Sequence, residues 1–224
     1  SVLNPFSMSQ DKNIRIIETY LSVQGEGMHA GLPCFFIRTA VCDIRCSWCD
    51  TPQALGNGPS ISFEDLLARV PTSVRLIQIT GGEPLVQKDQ VIALCEALHA
   101  RGKKILLETG GHRSLDGIPD YVHIVMDIKL PGSGQAHHPI EKNFEWLKKS
   151  DEIKFVIQDR IDFDAALSWI RSHNLENVCH LLLSPVWGSV APATLAQWLL
   201  EENIDARMQI QLHKIIWGAN ATGV

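Results

Sequence analysis

The stretch Val41-Cys42-Asp43-Ile44-Arg45-Cys46-Ser47-Trp48-Cys49-Asp50-Thr51 places three cysteines close together in the pattern Cys-x3-Cys-x2-Cys. Cysteine thiolates hold iron–sulfur clusters in proteins, and a [4Fe–4S] cluster contains four irons. Ligation by Cys42, Cys46 and Cys49 would leave one iron without a protein ligand and open to a small molecule. The loop therefore predicts a [4Fe–4S] cluster with one exchangeable position.

Two other interpretations of this cysteine loop remain open. A disulfide framework is typical of small secreted domains, whereas this chain has 6 cysteines in 224 residues and concentrates three of them in one loop. A structural zinc site usually has four ligands, and His29 or Asp50 could supply the fourth, although no second Cys/His pair stands at zinc-finger spacing. The other cysteines, Cys34, Cys95 and Cys179, lie in apolar runs and are predicted to be buried.

The composition of the chain argues against several classes of protein. Hydrophobic residues make up 45% of the chain, and the formal net charge is −5. Lysines and arginines form no stripe of the kind that binds nucleic acid, which favours a small-molecule substrate. No apolar run approaches the ~20 residues of a membrane-spanning helix, and no signal peptide is visible. We expect a cytoplasmic protein with one domain over residues 1–224, a flexible leader at 1–13 and a C-terminal tail at 218–224.

Short β-rich runs alternate with amphipathic segments along most of the chain. The β-rich runs are 34–39, 76–80, 104–108, 122–127, 152–157, 179–184 and 206–211. The helical segments are 62–69, 89–101, 143–148, 162–173 and 192–202. This alternation predicts βα units and a parallel sheet, in an α/β fold of the incomplete (β/α)6 type, a partial TIM barrel. A doubly wound open sheet is the alternative, since periodicity does not determine curvature.

Residues able to bind ligands fall where these β-rich runs end, which is where barrel folds carry their sites. Gly81, Gly82 and Glu83 follow the second run and begin a Gly-Gly-Glu-Pro motif. Glycines allow a backbone to approach a ligand closely, although a simple Gly-Pro turn would explain the motif if it stood alone. Further polar residues at or after the run ends are Glu108, Lys129, Ser133 and Gln158.

The cysteine loop, the aromatic Trp48 between its last two cysteines and the Gly-Gly-Glu-Pro motif together resemble the radical S-adenosylmethionine (SAM) superfamily. The resemblance implies that SAM binds the open iron and is cleaved by the reduced cluster to a 5′-deoxyadenosyl radical, which requires a flavodoxin-type electron donor. It implies SAM contacts from Trp48, Gly81, Gly82, Glu83, Glu108, Lys129, Ser133 and Gln158.

The flanking sequences narrow this resemblance. The segment 24–27 reads Gln-Gly-Glu-Gly, and the segment 211–217 reads Gln-Leu-His-Lys-Ile-Ile-Trp. With Cys49-Asp50-Thr51, these flanks are similar to the 7-carboxy-7-deazaguanine synthases of queuosine and other 7-deazapurine pathways. Members convert 6-carboxy-5,6,7,8-tetrahydropterin to 7-carboxy-7-deazaguanine with loss of ammonia and assistance from Mg²⁺. The resemblance also implies a homodimer.

The family pattern implies roles for individual residues. Thr51 matches the Mg²⁺ position, Asp50 would contact the substrate or a metal-bound water, and an Asx or ST turn is the alternative for this pair. Arg38 could bind the substrate carboxylate in a bidentate manner. The remaining substrate contacts implied by the resemblance are the Gln24–Gly25 backbone and the residues Val23, Gln24, Gly25, Glu26 and His213.

A second enzyme class shares part of this pattern. Glycyl-radical-enzyme activating proteins carry the same cysteine loop and Gly-Gly-Glu-Pro motif but act on a partner polypeptide. They are expected to lack the Gln-Gly-Glu-Gly segment and the C-terminal His213-Lys214 pair. These flanks therefore favour the pterin substrate.

Overall fold

The structure, a computed structural model, describes residues 13–224. Its strands are β1 (Asn13–Val23), β2 (Pro33–Thr39), β3 (Ser60–Ser62), β4 (Leu76–Gly81), β5 (Lys104–Thr109), β6 (His123–Ile128), β7 (Glu152–Ile157), β8 (His180–Pro185) and β9 (Arg207–Met208). Its helices are α1 (Phe63–Arg69), α2 (Lys88–His99), α3 (Arg160–Ser172), α4 (Pro192–Glu202) and α5 (Leu212–Trp217). The leader predicted at 1–13 lies outside the described residues, except for Asn13, which begins β1. Within residues 13–224, no helix is both long and apolar enough to span a membrane.

The strands form one sheet in the order β3-β1-β2-β4-β5-β6-β7-β8-β9. From β2 to β9 the neighbouring strands are parallel, and β1 pairs antiparallel with both β2 and β3. The sheet does not close, because β3 and β9 are its two edges. The predicted incomplete barrel is therefore confirmed, with antiparallel strands added at one edge.

Successive residues of each parallel strand point to opposite sides of the sheet. On one side, residues such as Ile77 join the hydrophobic core with residues of the helices, among them Leu94 and Phe163. On the other side, called the inner face below, Gln78 and Lys154 line a cavity. The core helices α1 to α4 thus cover one side only, which excludes the doubly wound alternative.

The structure differs from the sequence prediction at several elements. The helix predicted at 143–148 is a 3-10 helix over Glu141–Trp146. The strand predicted at 206–211 is reduced to the two residues of β9, and α5 follows from Leu212. Helix α3 begins two residues before Asp162, because the Asp159 side chain accepts a hydrogen bond from the Asp162 backbone N–H and acts as its N-cap.

Candidate active site

A cavity of about 410 Å³ lies on the inner face, at the C-terminal ends of the parallel strands. This volume falls within the range typical of small-molecule sites. Of the residues predicted from the sequence, it is lined by Val23, Gln24, Glu26, Arg38, Cys42, Cys46, Trp48, Cys49, Asp50, Thr51, Gly81, Gly82, Glu83, Glu108, Lys129 and His213. Gly25, Ser133 and Gln158 do not line it. Further lining residues, which were not among the predicted site residues, are Tyr20, Gln78, Thr80, Asp127, Lys154, Gln211 and Lys214.

The three loop cysteines fit a cluster with three protein ligands. Cys42, Cys46 and Cys49 are half-buried, unpaired by disulfides and exposed to the same cavity. Burial raises the pKa of the Cys42 and Cys46 thiols, and iron ligation would displace their protons. His29, considered as a fourth zinc ligand, does not line this cavity and lies against His123 instead. That version of the zinc alternative is therefore wrong.

The cysteine loop and the Gly-Gly-Glu-Pro motif interlock through their backbones. The Val41 carbonyl accepts a 2.8 Å hydrogen bond from the Glu83 N–H, and a Cβ on Gly82 would lie 2.2 Å from the Val41 oxygen. Val41 itself has a φ of 73°, a conformation that is strained for a β-branched residue. Glycine is thus required at position 82 to admit the cysteine loop.

The Glu83 carboxylate forms hydrogen bonds with other groups of the protein. Its oxygens accept hydrogen bonds from the Leu85 N–H at 2.9 Å, the Thr109 hydroxyl at 2.7 Å and the Gly110 N–H at 2.8 Å. The side chain is almost fully buried. It therefore joins the ends of β4 and β5, next to the Gly82 N–H, which donates to the Thr39 carbonyl at 3.1 Å.

A buried lysine, Lys154, lies at the centre of the inner face. Its Nζ is 2.9 Å from Glu26 Oε2, is hydrogen-bonded to Glu108 and is 3.8 Å from Asp127 Oδ2. We call these four residues the carboxylate–lysine cluster. Burial alone would lower the pKa of Lys154, but Glu108, Glu26 and Asp127 outweigh burial and hold this pKa well above its ordinary value. A lysine at an inward position of an apolar strand was the sequence signal for this group.

Glu26 is kept ionised by the same pairing. Burial favours the neutral acid, but the charge and hydrogen bond of Lys154 lower the pKa of Glu26 below its ordinary value. The Gln24 side chain is hydrogen-bonded to Gln78, whose amide donates to Glu108 at 2.7 Å. One wall of the cavity is thus a continuous hydrogen-bonded network of acceptors and amides.

The Gln24–Gly25 backbone was expected to form hydrogen bonds with the substrate, but its groups form hydrogen bonds within the protein. The Gln24 N–H donates to the Leu32 carbonyl and the Gln24 carbonyl accepts from the Gly31 N–H, both at 2.8 Å. The Gly25 carbonyl accepts from the Leu212 N–H at 3.0 Å. The backbone expectation is therefore wrong, because these groups pair with the segment 31–32 and with α5.

Gly25 acts by its lack of a side chain. A Cβ at this position would lie 2.0 Å from His213 Nδ1, so the imidazole packs directly on the Gly25 backbone. Burial, reinforced by the charges of Lys214 and Lys154, lowers the pKa of His213 below its ordinary value. The His213 imidazole that lines the cavity is therefore neutral near pH 7.

Arg38 and Thr51 both line the cavity and contact each other. The Arg38 Nε donates to Glu18 at 2.8 Å and its Nη2 to the Tyr20 hydroxyl at 3.0 Å. Its Nη1 lies 3.3 Å from Thr51 Oγ1, which in turn donates to Asp50 Oδ1 at 3.0 Å. The Arg38 fork is therefore only partly free. The Thr51 side chain makes no capping hydrogen bond, which weakens the turn alternative.

The predicted SAM contacts Ser133 and Gln158 are not placed on the cavity. The buried Ser133 hydroxyl donates to the Leu130 carbonyl at 2.6 Å, and the Ser133 carbonyl accepts from the Ser47 N–H at 3.0 Å. Gln158 follows β7 and donates its N–H to Asp162. The Ser133 hydroxyl is therefore already bonded to the protein, and the Gln158 backbone is bonded to the start of α3.

Trp48 and Lys129 both line the cavity and form a cation–π contact. The Lys129 Nζ lies 5.3 Å from the centre of the Trp48 ring and 2.9 Å from Asp127 Oδ2. The buried Trp48 Nε1 has no hydrogen-bond partner in the described part of the chain. Lys129 thus covers part of the Trp48 indole, which lines the cavity together with Cys46 and Cys49.

Comparisons with known proteins agree with this geometry. The model of the radical SAM superfamily matches residues 36–141. A 7-carboxy-7-deazaguanine synthase of Koribacter versatilis is 38% identical, over 94% of this chain and 100% of the relative. One of Chlorobaculum tepidum is 37% identical, over 97% and 100%. The crystal structure of QueE from Escherichia coli shares the fold, with a TM-score of 0.74 at 22% identity over 92% of this chain and 100% of that chain. The chain therefore belongs to the 7-carboxy-7-deazaguanine synthase family.

Proposed function

We propose that this chain converts 6-carboxy-5,6,7,8-tetrahydropterin to 7-carboxy-7-deazaguanine with release of ammonia. The names of its relatives support this reaction. The single observation that carries the proposal is that one cavity is lined both by the three loop cysteines and by the carboxylate–lysine cluster. The net reaction removes one ammonia and consumes no external oxidant, as a lyase requires.

Membership of the radical SAM superfamily implies a [4Fe–4S] cluster and SAM. Cys42, Cys46 and Cys49 would hold the cluster, and with SAM it supplies a radical able to remove hydrogen from the substrate. The backbone of Gly81 and Gly82 would bind the polar methionyl end of SAM. The Trp48 ring beside the cysteines would pack on its adenine.

The polar wall of the cavity suits the edge of a pterin, which presents alternating donors and acceptors. Ionised Glu26 is an acceptor for the ring N–H and the exocyclic amine, and such charge-assisted hydrogen bonds are the stronger kind. Neutral His213 offers a donor or an acceptor, depending on its tautomer. The Nη1 of Arg38, facing Thr51, is the group we assign to the substrate carboxylate.

We extend the proposal to Mg²⁺ at Thr51. Magnesium takes hard oxygen ligands and keeps several waters, and Thr51 Oγ1 with the adjacent Asp50 carboxylate offers such donors. A cation here would be repelled by Arg38, whose Nη1 is 3.3 Å away from the same oxygen. A substrate carboxylate between them would be attracted to both and would offset this repulsion, so Mg²⁺ and substrate are expected to bind together.

A flavodoxin-type donor would supply the electron that the cluster needs, in the cytoplasm, within queuosine or another 7-deazapurine pathway. A homodimer is supported by exposed apolar side chains of α5, namely Ile215, Ile216 and Trp217.

Anaerobic turnover tests the reaction directly. Cluster-loaded protein is given SAM, a reductant, Mg²⁺ and 6-carboxytetrahydropterin, and products are identified by mass spectrometry. We expect a deazaguanine carboxylate with little net loss of SAM, and no product from the Cys46→Ala variant. Cleavage of SAM to 5′-deoxyadenosine without a deazapurine would overturn the pterin substrate and favour a glycyl-radical activating protein.

A further inference from the structure

A second group of metal-binding side chains lies away from the cavity, at the N-terminal ends of β6 and β7. It comprises His123 and Glu152, the first residues of these strands, and His29 from the 3-10 turn Gly27–His29. Each residue offers one ligand atom, and these atoms all lie within 4.8 Å of one another. His123 and Glu152 are buried, whereas His29 is half-buried and reaches solvent.

The carboxylate of Glu152 has unused capacity. Its Oε1 is 3.0 Å from His123 Nε2 and accepts from the Met28 N–H at 2.9 Å. Its Oε2 is buried and has no hydrogen-bond donor among residues 13–224. Glu152 is only 1% exposed, so bulk water does not supply one. An unpaired carboxylate oxygen in such a place is costly unless something compensates it. A cation held by the two imidazoles would compensate it.

We propose that His29, His123 and Glu152 form a binding site for a divalent transition metal of the zinc class. Two imidazoles and one carboxylate are a common zinc donor set, with a fourth position left for water. Ligand atoms in a tetrahedral zinc site are about 3.3 Å apart, given metal–ligand distances near 2.0 Å. The observed spacing therefore needs only a modest contraction, and the half-exposed His29 provides the path of entry.

The protonation state of His29 agrees with ligation. Burial, together with the nearby charge of Lys104, lowers its pKa, and Glu152 opposes this effect only in part. The imidazole is therefore neutral near pH 7, as a metal ligand must be.

Such a metal would fasten the turn that follows Glu26 to the base of the sheet. The turn is already held by the Gly27 N–H, which donates to Gln209 Oε1 at 2.6 Å, and by the Met28 N–H on Glu152. A bound ion would add a bond to His29 at the end of the same turn. It would thereby stiffen the segment that carries Glu26 without contacting the substrate.

The test uses the cluster-loaded protein, treated with a chelator and then dialysed anaerobically against zinc chloride. We expect one zinc per chain in the wild type, with a raised thermal midpoint and a zinc absorption edge that shows nitrogen and oxygen neighbours only. His29→Gln should lose this zinc and the thermal shift, while keeping its iron content. His99→Gln, at an exposed histidine on α2, is the matched control and should retain both.

Three results would overturn the proposal. These are no zinc bound to the wild type, equal zinc in the wild type and His29→Gln, or sulfur neighbours at the zinc edge. The last would assign the metal to the cysteine loop. Circular dichroism of His29→Gln checks that the variant is folded, and Glu152→Gln, which keeps the shape of the side chain, provides an independent loss of the carboxylate ligand.

Discussion

The Nζ of Lys154 lies 2.9 Å from the Oε2 of Glu26, although the two residues are 128 positions apart in the chain. This contact joins the strand β7 to the segment that leaves β1, across the inner face of the sheet. It keeps Glu26 charged where the substrate is proposed to bind.

Replacing Lys154 by Met should leave Glu26, Glu108 and Asp127 without their common cation. Removing one partner of a buried ion pair typically costs about 3–5 kcal/mol, and we expect the free energy of unfolding to fall by this order. Urea unfolding measures it. Lys142→Met, at an exposed position, should change the same quantity by less than about 0.5 kcal/mol. Equal stability of the two variants would contradict the prediction.

Gly82→Ala should separate the cysteine loop from the Gly-Gly-Glu-Pro motif. The new Cβ would meet the Val41 oxygen at 2.2 Å, and overpacking of this kind costs about 1–3 kcal/mol. Gly56→Ala is the matched control, because its Cβ would have no neighbour closer than 3.9 Å. We expect lower iron content after reconstitution for Gly82→Ala only, and unchanged iron content in both variants would refute the interlocked arrangement.

Gly25→Ala should destabilise the protein through His213. The added Cβ would fall 2.0 Å from His213 Nδ1, so the imidazole must move out of its position. A double-mutant cycle with His213→Ala measures this coupling by thermal unfolding. We expect Gly25→Ala to cost markedly less in the His213→Ala background. Additive effects of the two substitutions would mean that the imidazole does not rest on Gly25.

Arg38→Ala should weaken binding of the pterin more than binding of SAM. Loss of a charge-assisted hydrogen bond of about 1.5–3 kcal/mol corresponds to roughly a tenfold to hundredfold increase in the KM for the pterin. Binding of Mg²⁺ in the presence of substrate should weaken in parallel. Glu18→Gln keeps the guanidinium and should have a smaller effect. A larger loss of SAM affinity than of pterin affinity would remove Arg38 from its proposed role.

The lowered pKa of His213 predicts how stability depends on pH. In the folded protein this imidazole stays neutral below its ordinary pKa of 6.5, whereas in the unfolded chain it gains a proton. The unfolded state therefore binds more protons, and stability should fall as the pH decreases through 6.5. His213→Asn should show a shallower fall between pH 7.5 and 5.5 in urea titrations. His99→Asn serves as the reference, and identical slopes for both variants would contradict the assignment.

Much of the fold could be predicted from the sequence, because the parallel strands carry nearly uninterrupted apolar runs. β7 was predicted with its observed bounds, Glu152–Ile157. The strand β1 was missed, since its exposed and buried residues do not form one continuous apolar run. The helix α5 was also missed. It has only six residues and none of them is buried, so its sequence shows no apolar period typical of a helix.

The candidate site was predictable where a motif is local in the chain. The cysteine loop and the glycines at 81 and 82 are of this kind. Lys154 was not selected, because its importance arises from three carboxylates that are distant in sequence: Glu26 after β1, Glu108 on β5 and Asp127 on β6. Ser133 was predicted to contact SAM because the local sequence does not show that its hydroxyl donates a hydrogen bond to the Leu130 carbonyl.

The contact between the Leu212 N–H and the Gly25 carbonyl has a consequence for biosynthesis. The early segment that carries Glu26 meets its partners in α5 only after almost the whole chain has been translated. A nascent chain on the ribosome can form β1, β2 and the cysteine loop well before His213 has emerged. The cavity wall is therefore the last part of the inner face to be completed, and premature termination within α4 would yield a polypeptide with its cysteine loop but without an enclosed site.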